Sequence, residues 1–518
     1  MNLLSASPSK ITESLLKGEL KTCVVGLGHV GLPLAVTLAN EGVVVIGCDS
    51  NRQYLEELGS GNSPIIEHSR NLFPGSKLTD LTCPNCGVRI LKARSTMFCP
   101  SCMRTADAFR GKVRLREATV KSKPASSASE EVSRLLKEAI SSNRLSLTTS
   151  TTRAVASSDI IIITVGTPVD EQRRPETSAL ESAARAIGAG LKRGSLVVLR
   201  STVSPGTTEG LLGKILRERS GLVPGKDFGL AHAPESTIEG LALFELWTLP
   251  KMVGGVDAKS ARAAGAVLGV FRTPIHIFES PRITETAKLF ENVYRDVNIA
   301  LANELALACE ALGVDVMKAI EAAGTDQKTN ILTPGPGVGG YCLTKDAYYL
   351  TVPASVHGFV PNLLRSARDV NDSMPGQVHR LVRDAFSEAG LPVSRSKITI
   401  LGLAFKGNTA DTRESPSFPI IMRLLADGAK LTLHDPYTNP NDRLVSSLGL
   451  PRAPDVPSAV RGSSGVVILT DHLDYRSLTS RSLKRMSAEL RVLVDARHVV
   501  SPEEAKSSGL VYRGVGQR

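Results

Sequence analysis

Cys342 is followed three residues later by Lys345 and four residues later by Asp346, and it is preceded by Gly335-Pro336-Gly337-Val338-Gly339-Gly340-Tyr341. A thiol beside a cationic side chain ionises more readily, and the thiolate is the nucleophile. Gly335, Gly337, Gly339 and Gly340 let backbone approach something bulky and polar closely, which makes Gly337, Gly339 and Gly340 candidate substrate contacts. The alternative is a glycine-rich turn carrying an inert buried cysteine.

A second constellation lies near the start of the chain. Thr22-Cys23-Val24-Val25 reads as a buried strand, and Gly26-Leu27-Gly28-His29-Val30-Gly31 follows it directly. Pro33 to Asn40 then reads as helix, Val43 to Cys48 as the next strand, and Asp49 ends that strand. This is the order of a dinucleotide-binding unit. Gly26, Gly28 and Gly31 permit the turn and the approach of a pyrophosphate, which the helix N-terminus attracts. Asp49 can accept both ribose hydroxyls and would repel a 2′-phosphate. NAD is therefore favoured over NADP, with FAD as the competing cofactor.

Further strands are expected at Asp159 to Val165, Ser195 to Arg200, Phe228 to His232 and Met252 to Gly255, with helices such as Ser178 to Leu191 between them. That alternation predicts a parallel, doubly wound sheet whose ligands sit at the C-terminal strand ends. Thr167 and Pro168, Ser201 and Thr202, and Glu235 fall at those ends. Arg282 to Leu312 lacks proline and glycine and reads as one long helix, with Lys288, Asn292 and Arg295 on one face. Such a helix suits a core or a subunit interface. Beyond Pro375 a second α/β pattern begins, with strands at Lys397 to Leu403, Leu431 to His434, Val466 to Thr470 and Val492 to Val494. Lys406, Arg413 and Arg497 follow its strand ends, where a phosphorylated ligand can bind.

A chain of 518 residues exceeds what one core supports, so two or three domains are expected. No run is apolar enough to span a bilayer, and Met1 to Lys17 lacks the apolar core of a secretory signal. A cytoplasmic protein without membrane contact is the expectation. Cys83-Pro84-Asn85-Cys86 and Cys99-Pro100-Ser101-Cys102 can present four thiolates to one structural zinc ion, as in a zinc ribbon. Between Ser76 and Ser127 there are 11 Lys/Arg against 3 Asp/Glu, so this segment carries +8 of the net +11. Nucleic acid is a possible but disfavoured partner for so basic a ribbon, a solvated surface being the commoner case.

Taken together these motifs resemble the UDP-glucose/UDP-N-acetylmannosamine dehydrogenase family, the nucleotide-sugar 6-dehydrogenases. The resemblance runs over Lys21 to Phe73 and Glu131 to Val499. It rests on the glycine start, Val165-Gly166-Thr167-Pro168, Ser201-Thr202-Val203, Ala233-Pro234-Glu235, Lys288 with Asn292, the Gly337 to Asp346 loop, and Ala404-Phe405-Lys406 through Asp411-Thr412-Arg413-Glu414-Ser415. The run from Arg295 to Glu304 is similar to the acetylhexosamine branch.

The resemblance implies a four-electron oxidation of a sugar C6 hydroxyl to a carboxylate with two NAD⁺, through a thiohemiacetal and a thioester on Cys342. It implies that Lys288 and Asn292 stabilise oxyanions, that Asp346 and Thr202 hold the water, and that Glu235 is the acid/base. It assigns Val30, Thr167, Pro168, Ser201, Glu239, Lys345 and Arg413 to the cofactor together with the glycines and Asp49, and Phe405, Lys406 and Arg497 to the UDP-sugar. UDP-N-acetyl-D-mannosamine is the favoured substrate; UDP-N-acetylglucosamine and UDP-glucose are the alternatives. From other classes, a zinc-ribbon regulatory or nucleic-acid-binding protein on a retired, non-catalytic scaffold and a two-electron alcohol dehydrogenase are the rivals. Tyr54 stands where relatives often carry an arginine.

The implied architecture is α/β, with two Rossmann-like doubly wound domains joined by a long central helix and a zinc-ribbon insertion in the first. Expected boundaries are 19–280 for the NAD-binding domain with 76–127 inserted, 281–375 for a central dimerisation and cysteine region, and 390–518 for the UDP-sugar-binding domain. A homodimer or higher oligomer is expected.

Overall fold

A computed structural model describes residues 2–65, 77–82, 89–93, 96–99, 104–109, 112–116, 126–237, 240–326, 328–439 and 441–517. It forms two compact units: residues 1–78, 121–291 and 345–360, and residues 79–120, 292–344 and 361–518.

In the first unit eight strands form one sheet in the order Ile275–Phe278, Lys251–Gly255, Gly229–His232, Leu196–Leu199, Ile160–Ile163, Lys21–Val25, Val44–Cys48 and Leu145–Thr148. Ile160 to Ile163 are all fully buried, as a strand covered on both faces requires, and such a side chain contributes about 1.5–3 kcal/mol. Helices such as Gly31–Asn40 and Ser178–Gly190 supply the cover. The sheet departs from an all-parallel arrangement in one place: Lys251–Gly255 runs antiparallel to Gly229–His232. A parallel return needs a crossover element spanning the sheet. The connection here carries only the four-residue helix Ala242–Glu245 among its described residues, and the strand comes back reversed. The two edge strands, Leu145–Thr148 and Ile275–Phe278, are too short and mixed in composition to stand out in the sequence.

In the second unit Lys430–His434, Lys397–Leu401, Gly465–Ile468, Val492–Asp495 and Val511–Gly514 form a sheet in that order, with every neighbour parallel. Helix Asn362–Glu388 covers it with Val378, Leu381, Val382 and Phe386. The helix Pro281–Leu312 is continuous, as the absence of proline and glycine after its first residue predicts.

The insertion contains five strands in the order Lys77–Thr82, Arg89–Ala93, Thr96–Cys99, Arg104–Phe109 and Lys112–Arg116. From Arg89 onward successive neighbours are antiparallel. Of the predicted zinc ligands, Cys83, Cys86 and Cys102 lie outside the described residues, and Cys99 closes its strand. No helix among the described residues is long and apolar enough to cross a membrane.

Candidate active site

The dinucleotide motif folds as its glycines demand. Gly26 has φ +92°, and its N–H donates to the Cys48 carbonyl at 2.8 Å. A Cβ on Gly31 would sit 1.8 Å from the Gly26 carbonyl oxygen, so this glycine brings helix Gly31–Asn40 against the turn. A Cβ on Gly28 would meet nothing within 4 Å, which leaves open space over the turn for a ligand. Val30 caps the helix N-terminus. The Asp49 carboxylate accepts from Leu27 N–H at 3.0 Å through Oδ2 and from Asn51 N–H at 3.0 Å through Oδ1. A carboxylate has about four lone-pair sites, so each oxygen can take one more donor. Tyr54 donates its hydroxyl to the Leu27 carbonyl at 2.8 Å, and burial raises its phenol pKa. The open turn, the helix start and the acceptor pair fit a dinucleotide with free ribose hydroxyls.

The other predicted strand-end residues of this sheet tie neighbouring loops together. Thr167 Oγ1 donates to the Thr202 carbonyl at 2.7 Å, and Ser201 Oγ donates to the Val165 carbonyl at 2.6 Å. Glu235 is buried against Arg200 and accepts from Ser236 N–H at 2.9 Å and Thr237 N–H at 3.0 Å. Burial pushes its carboxyl up, but Arg200 and Lys251 outweigh that and hold it below the usual range. The carboxylate, the form that can accept a proton, is therefore the favoured state of Glu235. His232, at the end of the same strand, is fully buried; its Nδ1 lies 2.9 Å from Thr284 Oγ1, and burial drops its pKa to about 3. Glu239 lies outside the described residues.

Lys288 is buried on the helix Pro281–Leu312, with Nζ 3.2 Å from Glu291 Oε2 one turn on. Glu291 accepts in turn from Ser236 Oγ at 3.1 Å. This chain from Lys288 through Glu291 to the residue beside Glu235 was not anticipated; its only signal is the i, i+3 spacing of Lys288 and Glu291. Lys345 and Asp346 open the helix Asp346–Val356, both buried, with Nζ 2.7 Å from Oδ1. Lys345 Nζ also lies 4.6 Å from the centre of the Tyr349 ring.

The second unit holds the thiol. Among the described cysteines Cys23 and Cys48 are buried, Cys309 is half-buried and Cys342 is exposed, which disposes of the inert buried alternative. Asn303 Oδ1 accepts from Gly335 N–H at 2.9 Å, and Asn303 Nδ2 donates to Asn371 Oδ1 at 3.0 Å. Asn371 in turn donates to Asp296, which also pairs with Arg368. The glycines then pass the chain's own aromatic ring: a Cβ on Gly339 would stand 2.4 Å from Phe405 Cβ, and one on Gly340, with φ +84°, 2.7 Å from Phe405 Cζ. A Cβ on Gly337, with φ +124°, would stand 3.0 Å from the Asn371 carbonyl oxygen. Gly340 N–H donates to the Arg413 carbonyl at 2.9 Å.

Arg413 forms a bidentate pair with Asp411, at 2.8 and 2.7 Å, and its guanidinium lies 5.5 Å from the centre of the Tyr341 ring. Arg497 donates to the carbonyls of Leu469 at 3.0 Å and Phe405 at 2.9 Å, so it also shapes the loop that carries Phe405. Lys406 is half-buried on that loop. Asn292 is buried on the long helix.

Three models of one family match the chain in order: the NAD binding domain of the UDP-glucose/GDP-mannose dehydrogenase family over residues 20–73 and 117–272, its central domain over 282–373, and its UDP binding domain over 399–502. The chain belongs to this family and is an NAD-dependent UDP-sugar dehydrogenase. It is 31% identical to the UDP-N-acetyl-D-mannosamine dehydrogenase of Pyrococcus horikoshii, over 96% of this chain and 99% of that one. The solved structure described as UDP-D-ManNAc dehydrogenase from Pyrococcus horikoshii superposes with a TM-score of 0.76, covering 96% of this chain and 99% of that one at 31% identity. A UDP-glucose dehydrogenase from Pyrobaculum islandicum gives 0.74 at 28% identity, covering 96% of this chain and 98% of that one. Residues 69–103, which contain the four paired cysteines, match the model for Sjogren's syndrome/scleroderma autoantigen 1 (autoantigen p27).

Proposed function

We propose that the protein oxidises the C6 hydroxyl of UDP-N-acetyl-D-mannosamine to the carboxylate, giving UDP-N-acetyl-D-mannosaminuronate. The observation that carries this reading is Cys342: an exposed thiol on a glycine loop packed against Phe405, in a chain similar along nearly its whole length to a dehydrogenase named for that sugar. NAD⁺, held by Gly26, Gly28, Val30, Gly31 and Asp49 with Thr167, Pro168, Ser201, Glu239, Lys345 and Arg413, supplies the acceptor for two successive two-electron oxidations.

After the first oxidation Cys342 Sγ adds to the C6 aldehyde as a thiohemiacetal, which keeps the aldehyde from escaping. Lys288 and Asn292 stabilise the oxyanion on C6. The second oxidation leaves a thioester. Water held by Asp346 and Thr202 cleaves it, the thiolate leaves, and Glu235 serves as an acceptor for a released proton. Each sugar thus consumes one water and yields the carboxylate, two NADH and three protons. Phe405, Lys406, Arg497 and the backbone at Gly337, Gly339 and Gly340 line the UDP-sugar.

Cys83, Cys86, Cys99 and Cys102 hold one structural zinc ion in this reading; their two C-P-x-C pairs are the support for it. The protein acts as a homodimer through the helix Pro281–Leu312, where Tyr294, Leu301 and Leu312 are 72, 47 and 76% exposed. Their steps of seven and eleven residues keep them on one helix face.

The test is NADH yield with purified protein and a panel of UDP-sugars. Two NADH per UDP-N-acetylmannosamine, with complete turnover lost in Cys342→Ser, is the expected outcome. One NADH with an aldehyde product, or no reduction with any UDP-sugar, overturns the reading.

A further inference from the structure

Two adjacent tyrosines on helix Asp346–Val356 grip the loop that follows strand Ile160–Ile163. Tyr349 is buried, and its hydroxyl donates to the Pro168 carbonyl at 2.9 Å. Tyr348 receives Arg173 on its ring, 5.3 Å from the centroid, and accepts a hydrogen bond from the same guanidinium at its hydroxyl. Arg173 is held with φ +61°, a strained conformation for a residue with a side chain, at the tip of a turn built on Asp170. The other face of this arrangement is Lys345: its ammonium stands over the Tyr349 ring and pairs with Asp346. Lys345 and Tyr349 are one helical turn apart, so the ring and the cation meet by i, i+4 geometry.

We propose that Tyr349 is a positioning residue that links the cofactor loop at Pro168 to the Lys345–Asp346 pair. The hydroxyl fixes the Pro168 peptide, and through it the loop that also carries Thr167. The ring holds Lys345 beside Asp346, so the carboxylate assigned to the water keeps its place. The two ends of one side chain thus serve two tasks that separate variants can part. The inference rests on the functional reading above.

The experiment compares the full-length protein with Tyr349→Phe and Tyr349→Leu. Steady-state kinetics give KM for NAD⁺ and kcat, titration calorimetry gives NAD⁺ affinity without sugar, and thermal unfolding reports folding. Tyr349→Phe keeps the ring and loses one buried hydrogen bond; NAD⁺ affinity and KM are expected to worsen about fivefold with kcat within about twofold. Tyr349→Leu loses the ring as well, and kcat is expected to fall by a further factor of about ten. A residue that only fills space would leave Tyr349→Phe equal to the wild type in NAD⁺ affinity, and that result overturns the proposal. Should Tyr349→Leu fail to unfold cooperatively, Tyr349→Phe decides alone. A wild type that binds NAD⁺ but reduces none with any UDP-sugar overturns the functional reading instead, while the calorimetric comparison still tests the hydroxyl.

Discussion

Asp49 and Asp435 end the second strand of their respective Rossmann-like patterns in the same way, but only Asp49 has acceptor capacity left. The turns before them also correspond. Gly26 and Gly402 have φ +92° and +99°, and they donate to the Cys48 and His434 carbonyls at 2.8 and 2.9 Å. Asp435 accepts from the N–H groups of Leu403, Ala404, Tyr437 and Thr438 at 2.7–3.1 Å and from His472 Nε2 at 3.0 Å. Asn408 N–H donates to His472 Nδ1, so the ring's proton lies on Nε2, toward Asp435. The second aspartate is a structural tie for the loop bearing Phe405 and Lys406; the first remains open to a ribose.

Asp49→Asn is accordingly expected to weaken NAD⁺ binding about tenfold or more and to narrow the preference over NADP⁺. Asp435→Asn should leave NAD⁺ affinity within about twofold and lower stability by about 1–3 kcal/mol. Burial raises the Asp435 carboxyl pKa, but His472 and the N–H donors overcome this and hold it low. Its contribution to stability is therefore present above the unfolded carboxylate value, about 3.9, and is lost as pH falls through the lower folded value. NAD⁺ titrations and denaturant melts from pH 3 to 6 check both statements; equal NAD⁺ losses in the two variants would contradict the assignment.

Lys251 gives a prediction at the alkaline side. Burial depresses it to about 8, against the opposing pull of Glu235. Between about 8 and the unfolded value near 10.4 the unfolded chain binds one more proton, so stability rises with pH in that window. Lys251→Met should abolish that rise. Denaturant midpoints at pH 7.5, 9 and 10 read it directly; parallel curves for the two proteins would rule it out.

Arg200 and Glu235 form a pair with both side chains buried. Arg200→Leu strands the Glu235 carboxylate and should cost about 3–5 kcal/mol of stability. Glu235→Gln leaves the buried Arg200 guanidinium without its counter-charge and should cost a similar amount. Thermal or denaturant unfolding is the check; a loss below about 1 kcal/mol in either variant would argue against an ionised pair.

The exposed face of helix Pro281–Leu312 predicts an assembly. A Tyr294→Glu/Leu301→Glu double variant should halve the mass measured by light scattering and leave the helical circular dichroism unchanged, since both side chains are exposed in the single chain. A wild type of monomer mass, or a variant of unchanged mass, would exclude this face.

The paired cysteines predict about one zinc per chain by elemental analysis, lost in Cys83→Ser/Cys86→Ser. Because the insertion interrupts the family pattern without disturbing its motif order, that variant should retain at least half of the wild-type NADH production. Native protein without zinc would end the ribbon reading.

What sequence alone determined about this protein is the part written in short-range pattern. Glycines 26, 28 and 31 after an apolar strand, an acidic residue after the next strand, four glycines before Cys342, and a 32-residue helix with no proline or glycine beyond its first residue each specify local geometry through backbone sterics and periodicity. The inner strands of the two larger sheets and the family assignment were legible at that level; the edge strands Leu145–Thr148, Ile275–Phe278 and Val511–Gly514 were not.

Tertiary structure decided which groups meet. The reversal of Lys251–Gly255 follows from a connection whose described residues form no spanning helix, which strand composition does not reveal. The occupant of the space beside Gly339 and Gly340 is Phe405, more than sixty residues on. The charge state of Glu235 depends on Arg200, and the hydroxyl of Tyr349 reaches back 181 residues to the Pro168 carbonyl. Hydrogen bonds and ion pairs act over a few ångströms, and periodicity along a chain carries no information about which distant residues packing will bring within that range.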